Sequence, residues 1–384
     1  MRRVVYLDYN ATTPLDPQVR AAMEPFLSSV QGNPSSVHAL GRDARAVLDG
    51  AREQTAALWQ CKPSEVVFTS GGTESSNLAI LGTARALRHT GRHLIVSSVE
   101  HHAVLHPARY LARHEGFELT ELPVDAAGRV DPASVAEALR PDTILVSIMS
   151  ANNEVGTLQS VNVIGDLCRA KNVLFHTDAV QSFGKVPFSS IHQFRADMAS
   201  ICAHKFHGPR GVGALFIRSP HRPTPLMLGG AQENEQRPGT ENLLGIVGFV
   251  EAMRLFLKQP PLGGDRIRNL RDRLRDACES LPSVNVITPA EGVLDNTLAV
   301  TVQGTDSLAV LAGLDLEGVC ASSGSACSSG SLEPSHVLAA MGIPAEGSRS
   351  LVRFSLGGGT TEADVDHVIL TLPKVIQTAT ANDR

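Results

Sequence analysis

Residues 321 to 336 read ASSGSACSSGSLEPSH and place one cysteine, Cys327, in a run of serine and glycine that neither builds a helix nor packs a core. A thiol on such a polar, flexible loop is suited to visiting a cleft and then the surface, and its thiolate is a nucleophile. Four other segments carry residues with chemical uses. FTSGGTESSN is a strand, a Ser-Gly-Gly-Thr turn and a helix start, where glycines such as Gly72 bring free N–H groups close to an anion and the Thr73 hydroxyl adds a bond. Gly-Gly before a helix is equally a plain turn signal. FHTDAVQ ends an apolar strand on Asp178, a carboxylate that needs a partner such as a protonated ring nitrogen. CAHKFHGPRGVG puts Lys205 just past another strand; the other lysines are Lys62, Lys171, Lys185, Lys258 and Lys374, and a lysine at a sheet mouth is a Schiff-base candidate. SSVEHHAVLHP crowds His101, His102 and His106, and His101 suits a flat ring stacked on a cofactor and able to move protons, with metal ligation or helix capping as the alternatives.

Each feature has a bland reading, but their order is harder to dismiss. A phosphate cup, a strand-end aspartate and a lysine at a later strand end are what pyridoxal 5'-phosphate requires: an anchor, a pyridinium partner and a covalent attachment point.

The elements that must position these residues run from residue 65 to 218. EVVFTS, HLIVSS, ELTELP, TILVSIMS, VLFHTDAV, DMASIC and GVGALFIRS are strand-length apolar runs, most of them separated by helical patterns such as DPASVAEALR and VNVIGDLCRAKN. The helix after FTSGG is expected from about Glu74. Continuous β-branched runs imply strands buried on both faces, hence a mostly parallel sheet between helix layers with its ligands at the carboxyl ends. After about Leu257 the texture changes: PPLGG marks a break, and DRIRNLRDRLRDACESL is a helix whose arginines read as a solvated face beside Ile267, Leu270 and Leu274. NTLAVTVQG, a helix from Asp306, GVCASS, a helix from about Glu333 and LVRFSLG complete a smaller α+β unit.

A chain of 384 residues is long enough for about two domains with large cores. Its net charge of −5, spread without long runs, argues against a nucleic-acid face or a membrane-surface patch. The longest apolar stretch, LLGIVGFVEAM, is too short and glycine-broken to span a bilayer, so a cytoplasmic protein is expected. Cys61, Cys168, Cys202, Cys278, Cys320 and Cys327 form no C-x-x-C pair; reduced thiols are expected, with no metal site, and all but Cys327 read as small buried hydrophobes.

Taken together, YLDYNATTP, GNPSSVHALGRDAR, FTSGGTESSN, EHHAVL, MSANNEVGTLQ, HTDAVQSFGK, AHKFHGPRGVGAL, RPGTEN, SSGSACSSG and VRFSLG resemble, in family order from Tyr6 to Gly357, the pyridoxal-phosphate-dependent cysteine desulfurases of fold type I, which supply sulfur for iron–sulfur clusters. The cysteine motif and GSLEPSHVLAAM look most like the group holding the nitrogen-fixation and housekeeping enzymes. The resemblance implies a large cofactor-binding domain over 12–257, with 1–11 and 258–384 forming a small domain that carries a mobile cysteine loop at about 321–332. It implies Lys205 as the covalent lysine, Asp178 at the pyridine nitrogen and Gln181 near the ring hydroxyl. Gly72, Thr73, His204 and Cys202 would lie at the phosphate, with His101 stacked on the ring and Asn153 against the cofactor. Arg353, Asn153 and Asn10 would meet the substrate, the Arg353 fork matching its carboxylate. Thr240 would reach the phosphate of a neighbouring subunit, which implies a homodimer.

The implied reaction converts L-cysteine to L-alanine, with Cys327 attacking the substrate sulfur, His101 as the base that makes its thiolate, and a sulfur-acceptor protein such as an iron–sulfur scaffold as partner. Cys202 departs from the family's usual serine or threonine and offers only a weak S–H donor, which implies a weaker phosphate grip without loss of activity. SLGGGTTE is unusually glycine-rich, and the chain stops at TANDR without the long tail that some members use to dock a scaffold. An aminotransferase or β-lyase has no need of Cys327, and a silent scaffold has no need of Lys205, Asp178 and Cys327 together. A selenocysteine lyase or another pyridoxal-phosphate-dependent C–S lyase is the nearest alternative.

Overall fold

The computed structural model describes residues 4–28, 32–257, 259–324 and 334–382. Seven strands make the main sheet: β2 (Val66–Thr69), β3 (His93–Ser97), β4 (Glu118–Leu122), β5 (Thr143–Ser147), β6 (Leu174–Asp178), β7 (Met198–Cys202) and β8 (Gly213–Ile217), after a short first strand β1 (Val5–Tyr6). Their order is β2-β8-β7-β6-β5-β3-β4, parallel except for β8, which runs antiparallel to both neighbours. The exception follows from the short Gly-Pro-Arg-Gly turn between β7 and β8, because only an antiparallel return needs so little chain.

β2, β3, β5, β7 and β8 are buried at every position, as their unbroken apolar runs predict, whereas β4 is an edge strand whose Glu118 and Glu121 face solvent and pair with Arg140 and Arg109. One face is covered by the helices Ala39–Trp59 and Leu243–Phe256, where Trp59, Phe68, Phe183, Phe206 and Phe249 meet edge-on or tilted. The other face carries the helix His102–His114 and a helical run that opens at Gly72, slightly earlier than expected, with one π-turn at Leu78–Gly82.

A second core gathers the C-terminal elements. β9 (Val284–Val286), β10 (Thr297–Val302) and β12 (Leu351–Ser355) form an antiparallel sheet in the order β12-β10-β9, and β11 (Val319–Cys320) pairs in parallel with β1. The helices Asp265–Glu279, Ser307–Leu316 and Glu362–Asn382 pack against them. Asp306 caps the second of these, its side chain accepting from Ala309 N–H. Asp8 forms a bridge to Ser355, so residues 8–13 lead from this sheet into the mouth of the large one.

Three expectations need correction. Ile267, Leu270 and Leu274 are buried, but so is Arg271, at 4% exposure: its helix lies deep enough that one arginine stem joins the core side. Cys61 and Cys320 are half-buried: Cys61 lies just past the helix Ala39–Trp59, and Cys320 is the last residue of the short β11. The helix expected from about Glu333 begins at His336, capped by the Ser335 hydroxyl; Glu333 itself, like Cys327 and most of the loop around it, lies outside the described residues. Among the described residues no helix is long and apolar enough to cross a membrane.

Candidate active site

β2, β3, β5, β6 and β7 end at the same edge of the sheet, and the segment after each supplies a side chain to one cavity of about 210 Å³. Gly72 and Thr73 follow β2, His101 follows β3, Asn153 follows β5, Asp178 and Gln181 end β6, and Cys202, His204 and Lys205 end β7. Asn10 enters on the segment after β1, and Arg353 from β12. Ten of the described candidates therefore converge with Lys205; the exposed Thr240 lies outside the cavity of its own chain.

Lys205 lies on a single helical turn and donates from Nζ to the carbonyls of Asn10 at 2.7 Å and Ala11 at 2.8 Å. Across the cavity, Asp178 accepts at Oδ1 from the Val180 N–H at 2.9 Å. Burial pushes its carboxyl up to about 6, only partly offset by that N–H and by the Lys205 charge. A desolvated carboxylate with so little compensation is a site for a cationic N–H.

His101 and His204 are held neutral: burial, with the Lys205 charge second, pushes both down to about 4. His101 caps its helix, its Nδ1 accepting from the Ala103 N–H at 3.1 Å, so the neutral ring carries its proton on Nε2. In this tautomer the ring carries a donor at Nε2. Cys202 is buried, and burial pushes its thiol up to about 11 although the Gly72 N–H bonds its sulfur. A side chain at Gly72 is excluded, since its Cβ would stand 2.7 Å from Val180 Cγ2 and close the floor of the cavity.

Arg353 is 1% exposed and already oriented. Nη2 pairs with Asp8 at 2.8 Å, and Nη1 donates to the carbonyls of Asn153 at 2.8 Å and Gly324 at 2.6 Å. Nε has no partner among the described residues. Asn10, expected at the substrate, has its amide fully engaged: Oδ1 accepts from Lys185 and Asn296, and Nδ2 donates to Asn153 O and Thr297 Oγ1. No hydrogen-bonding capacity is left for a substrate there, and it is the Asn10 carbonyl, not its side chain, that faces Lys205.

Sequence reasoning passed over Asp8, Lys185, Glu100 and Glu154. Glu100 is buried, its carboxyl pushed up to about 8 by desolvation while Oε1 accepts from Ser97 and Met149. Glu154, also raised by burial, accepts from the Ser335 hydroxyl at 2.5 Å. The available signal was a charged residue inside an otherwise apolar or small-residue segment, as with Lys185 in QSFGKVPF.

The family described as aminotransferase class-V matches residues 5–368. The chain belongs to the class-V aminotransferases. Among curated relatives of this family, cysteine desulfurase IscS of Dictyoglomus turgidum is 46% identical over 98% of this chain and 95% of its own. A solved structure titled NifS-like protein superposes with a TM-score of 0.91 at 36% identity, covering 98% of this chain and all of that one. A second, SspA in complex with cysteine, gives 0.81 at 35% identity over 93% and 99%. The cofactor of class-V enzymes of this kind is pyridoxal 5'-phosphate, and the residues present fit it: a buried carboxylate whose pKa is raised by burial, a lysine amine whose charge it feels, and a glycine where any Cβ would meet Val180.

Proposed function

We infer that the chain is a cysteine desulfurase, converting L-cysteine to L-alanine and passing the sulfur to Cys327. The observation that carries the reading is the placing of Lys205, Asp178 and Arg353 around one cavity in a chain 46% identical to a relative of that name. A related protein solved with cysteine supports the substrate.

Pyridoxal phosphate, when bound, supplies an aldehyde for attachment and a ring that takes up electrons released at the substrate α-carbon. Lys205 would anchor it and move the α-proton, and Asp178 would keep a proton on the ring nitrogen. Gln181 would donate to the ring hydroxyl oxygen, and Gly72, Thr73, Cys202 and His204 would hold the phosphate, with Thr240 reaching that of a second subunit in a homodimer. His101 would cover the ring, with a proton available at Nε2. Arg353 would bind the substrate carboxylate, with Asn153 beside it and the Asn10 amide bonded to the Asn153 carbonyl.

The Cys327 thiolate then attacks the substrate sulfur. An S–S bond forms, the C–S bond breaks, and its electron pair stays on the three-carbon fragment, which gains a proton and leaves as alanine. The other cysteines support this assignment by their unsuitability: burial pushes Cys61, Cys168 and Cys278 up to about 12, Cys202 to about 11, and Cys320 upward, so none is thiolate-prone. We further propose that 12–257 is the large domain and 1–11 with 258–384 the small one, that the protein works in the cytoplasm, and that a sulfur-acceptor protein such as an iron–sulfur scaffold takes the persulfide. The separate cores on the two sheets support the division.

The test is alanine and sulfide release from L-cysteine with a reductant present. Equal yields from the native enzyme, and neither product from Cys327→Ser that still holds its cofactor, are expected; an active variant, or pyruvate in place of alanine, would overturn the reading in favour of a simple lyase.

A further inference from the structure

Lys185 is 2% exposed, and burial holds its ammonium well below its ordinary range. Nζ donates to Asn10 Oδ1 at 2.6 Å and to Gln181 Oε1, four residues earlier in the chain. A buried lysine is costly unless its hydrogen bonds do something that an apolar residue cannot. Here its two acceptors are both amide oxygens, and both amides border the cofactor cavity.

The chemistry of these contacts fixes which way the Gln181 amide points. The end of the amide facing Lys185 is Oε1, which accepts from Nζ, and the other end settles that choice whatever the charge on the amine. The other end of the amide, Nε2, lies 3.0 Å from the carbonyl oxygen of Asn10, which only accepts. An N–H donor on one side and an acceptor-only carbonyl on the other allow a single orientation. One Nε2 hydrogen is spent on Asn10; the second remains for the cavity that Gln181 lines. The same Asn10 carbonyl accepts from Lys205 Nζ, so one bracket aligns both residues.

We propose that Lys185 is a positioning residue: it pins Oε1 of Gln181 away from the cavity so that the amide presents an N–H donor, and never an acceptor, to the hydroxyl oxygen of the cofactor ring. The inference rests on the reading that Gln181 faces that hydroxyl. A donor there stabilises the ionised oxygen; without the Lys185 bond to Oε1 the amide is held at one end only, the donor is less firmly placed, and the ring system would hold its proton to higher pH.

The test is a spectrophotometric pH titration of the cofactor band in the holoenzyme for the native protein, Lys185→Met, Gln181→Leu and the double variant. Losing a hydrogen bond to a charged oxygen raises the midpoint by about one pH unit. Lys185→Met and Gln181→Leu should each raise it, and the double variant should go no further than Gln181→Leu alone, because Lys185 acts through Gln181. If Gln181→Leu shifts the midpoint and Lys185→Met does not, or if the two shifts add, the role of Lys185 is overturned while the reading of Gln181 stands. If Gln181→Leu leaves the midpoint unmoved, that reading falls and the proposal with it. Should Lys185→Met fail to fold, Lys185→Gln serves, since its amide nitrogen stops one bond short of the Nζ position; it too should raise the midpoint, and an unchanged value overturns the proposal.

Discussion

Asp8 holds Arg353 in an ion pair of 2.8 Å between Oδ1 and Nη2, on a strand pairing that bridges Asp8 to Ser355 two residues away. The guanidinium is thus aimed before any substrate carboxylate arrives, with Nη1 tied to two backbone carbonyls. Asp8→Ala removes the aim and leaves a buried cation underpaired, so KM for cysteine should rise about tenfold, or about 1.4 kcal/mol, with kcat little changed. Asp8→Asn keeps an acceptor and should cost less. Steady-state kinetics decide; an unchanged KM for Asp8→Ala would show that substrate binding does not depend on the pair.

Asp178 trades stability for function. In the cofactor-free chain its carboxyl titrates at about 6, against 3.8 unperturbed. The folded state therefore binds the extra proton between those values, so the contribution of Asp178 to stability declines as pH rises from about 4 to about 6 and stays lost above. Two pKa units correspond to about 3 kcal/mol. Asp178→Asn should raise the unfolding temperature of the cofactor-free protein at pH 7.5 but not at pH 4, while abolishing desulfuration. Equal unfolding temperatures at pH 7.5 would mean that the carboxylate is better solvated than its burial implies.

The neutral state of His101 gives a prediction on the acid limb. Its pKa of about 4 lies below the ordinary 6.5. The ring should stay uncharged, with its proton on Nε2, down to about pH 5, and the kcat profile should show no His101 step near 6.5. A step near 6.5 that vanishes in His101→Gln would overturn this.

Much of the site was legible because a buried parallel strand must read as a continuous apolar run, and ligands gather where such runs end. That logic placed Gly72, His101, Asp178 and Lys205 without a structure. It had no hold on Asp8, Lys185 or Glu154, whose partners lie far away in sequence: Lys185 meets Asn10 across 175 positions and Glu154 meets Ser335 across 181. Asn10 was placed in the site for the wrong group, since nothing local distinguishes a side chain free for substrate from one saturated by four neighbours. The tautomer of His101 was equally hidden, because it depends on the cap it makes to its own helix. The antiparallel β8 is a milder case, written in the shortness of the Gly-Pro turn but outweighed by the parallel pattern around it.

Cys202 stands at the proposed phosphate site, and its geometry says what a thiol there costs. The thiol sits at the end of β7 with the Gly72 N–H on its sulfur, buried and protonated, so it offers the phosphate a weak S–H donor where a hydroxyl would offer a strong one. A hydroxyl bonded to a charged phosphate is worth about 1 kcal/mol more, a factor of about five. Cys202→Ser should therefore slow release of pyridoxal phosphate about fivefold, measured by transfer to an excess of apo-acceptor, with kcat unchanged because the thiol touches neither Lys205 chemistry nor the sulfur path. The smaller oxygen also leaves a void beside Gly72 Cα and Val180, so a stability loss of about 1 kcal/mol is expected in the cofactor-free form. If release is as fast as in the native enzyme, the phosphate is held by Thr73, His204 and backbone alone, and position 202 serves only to fill the floor.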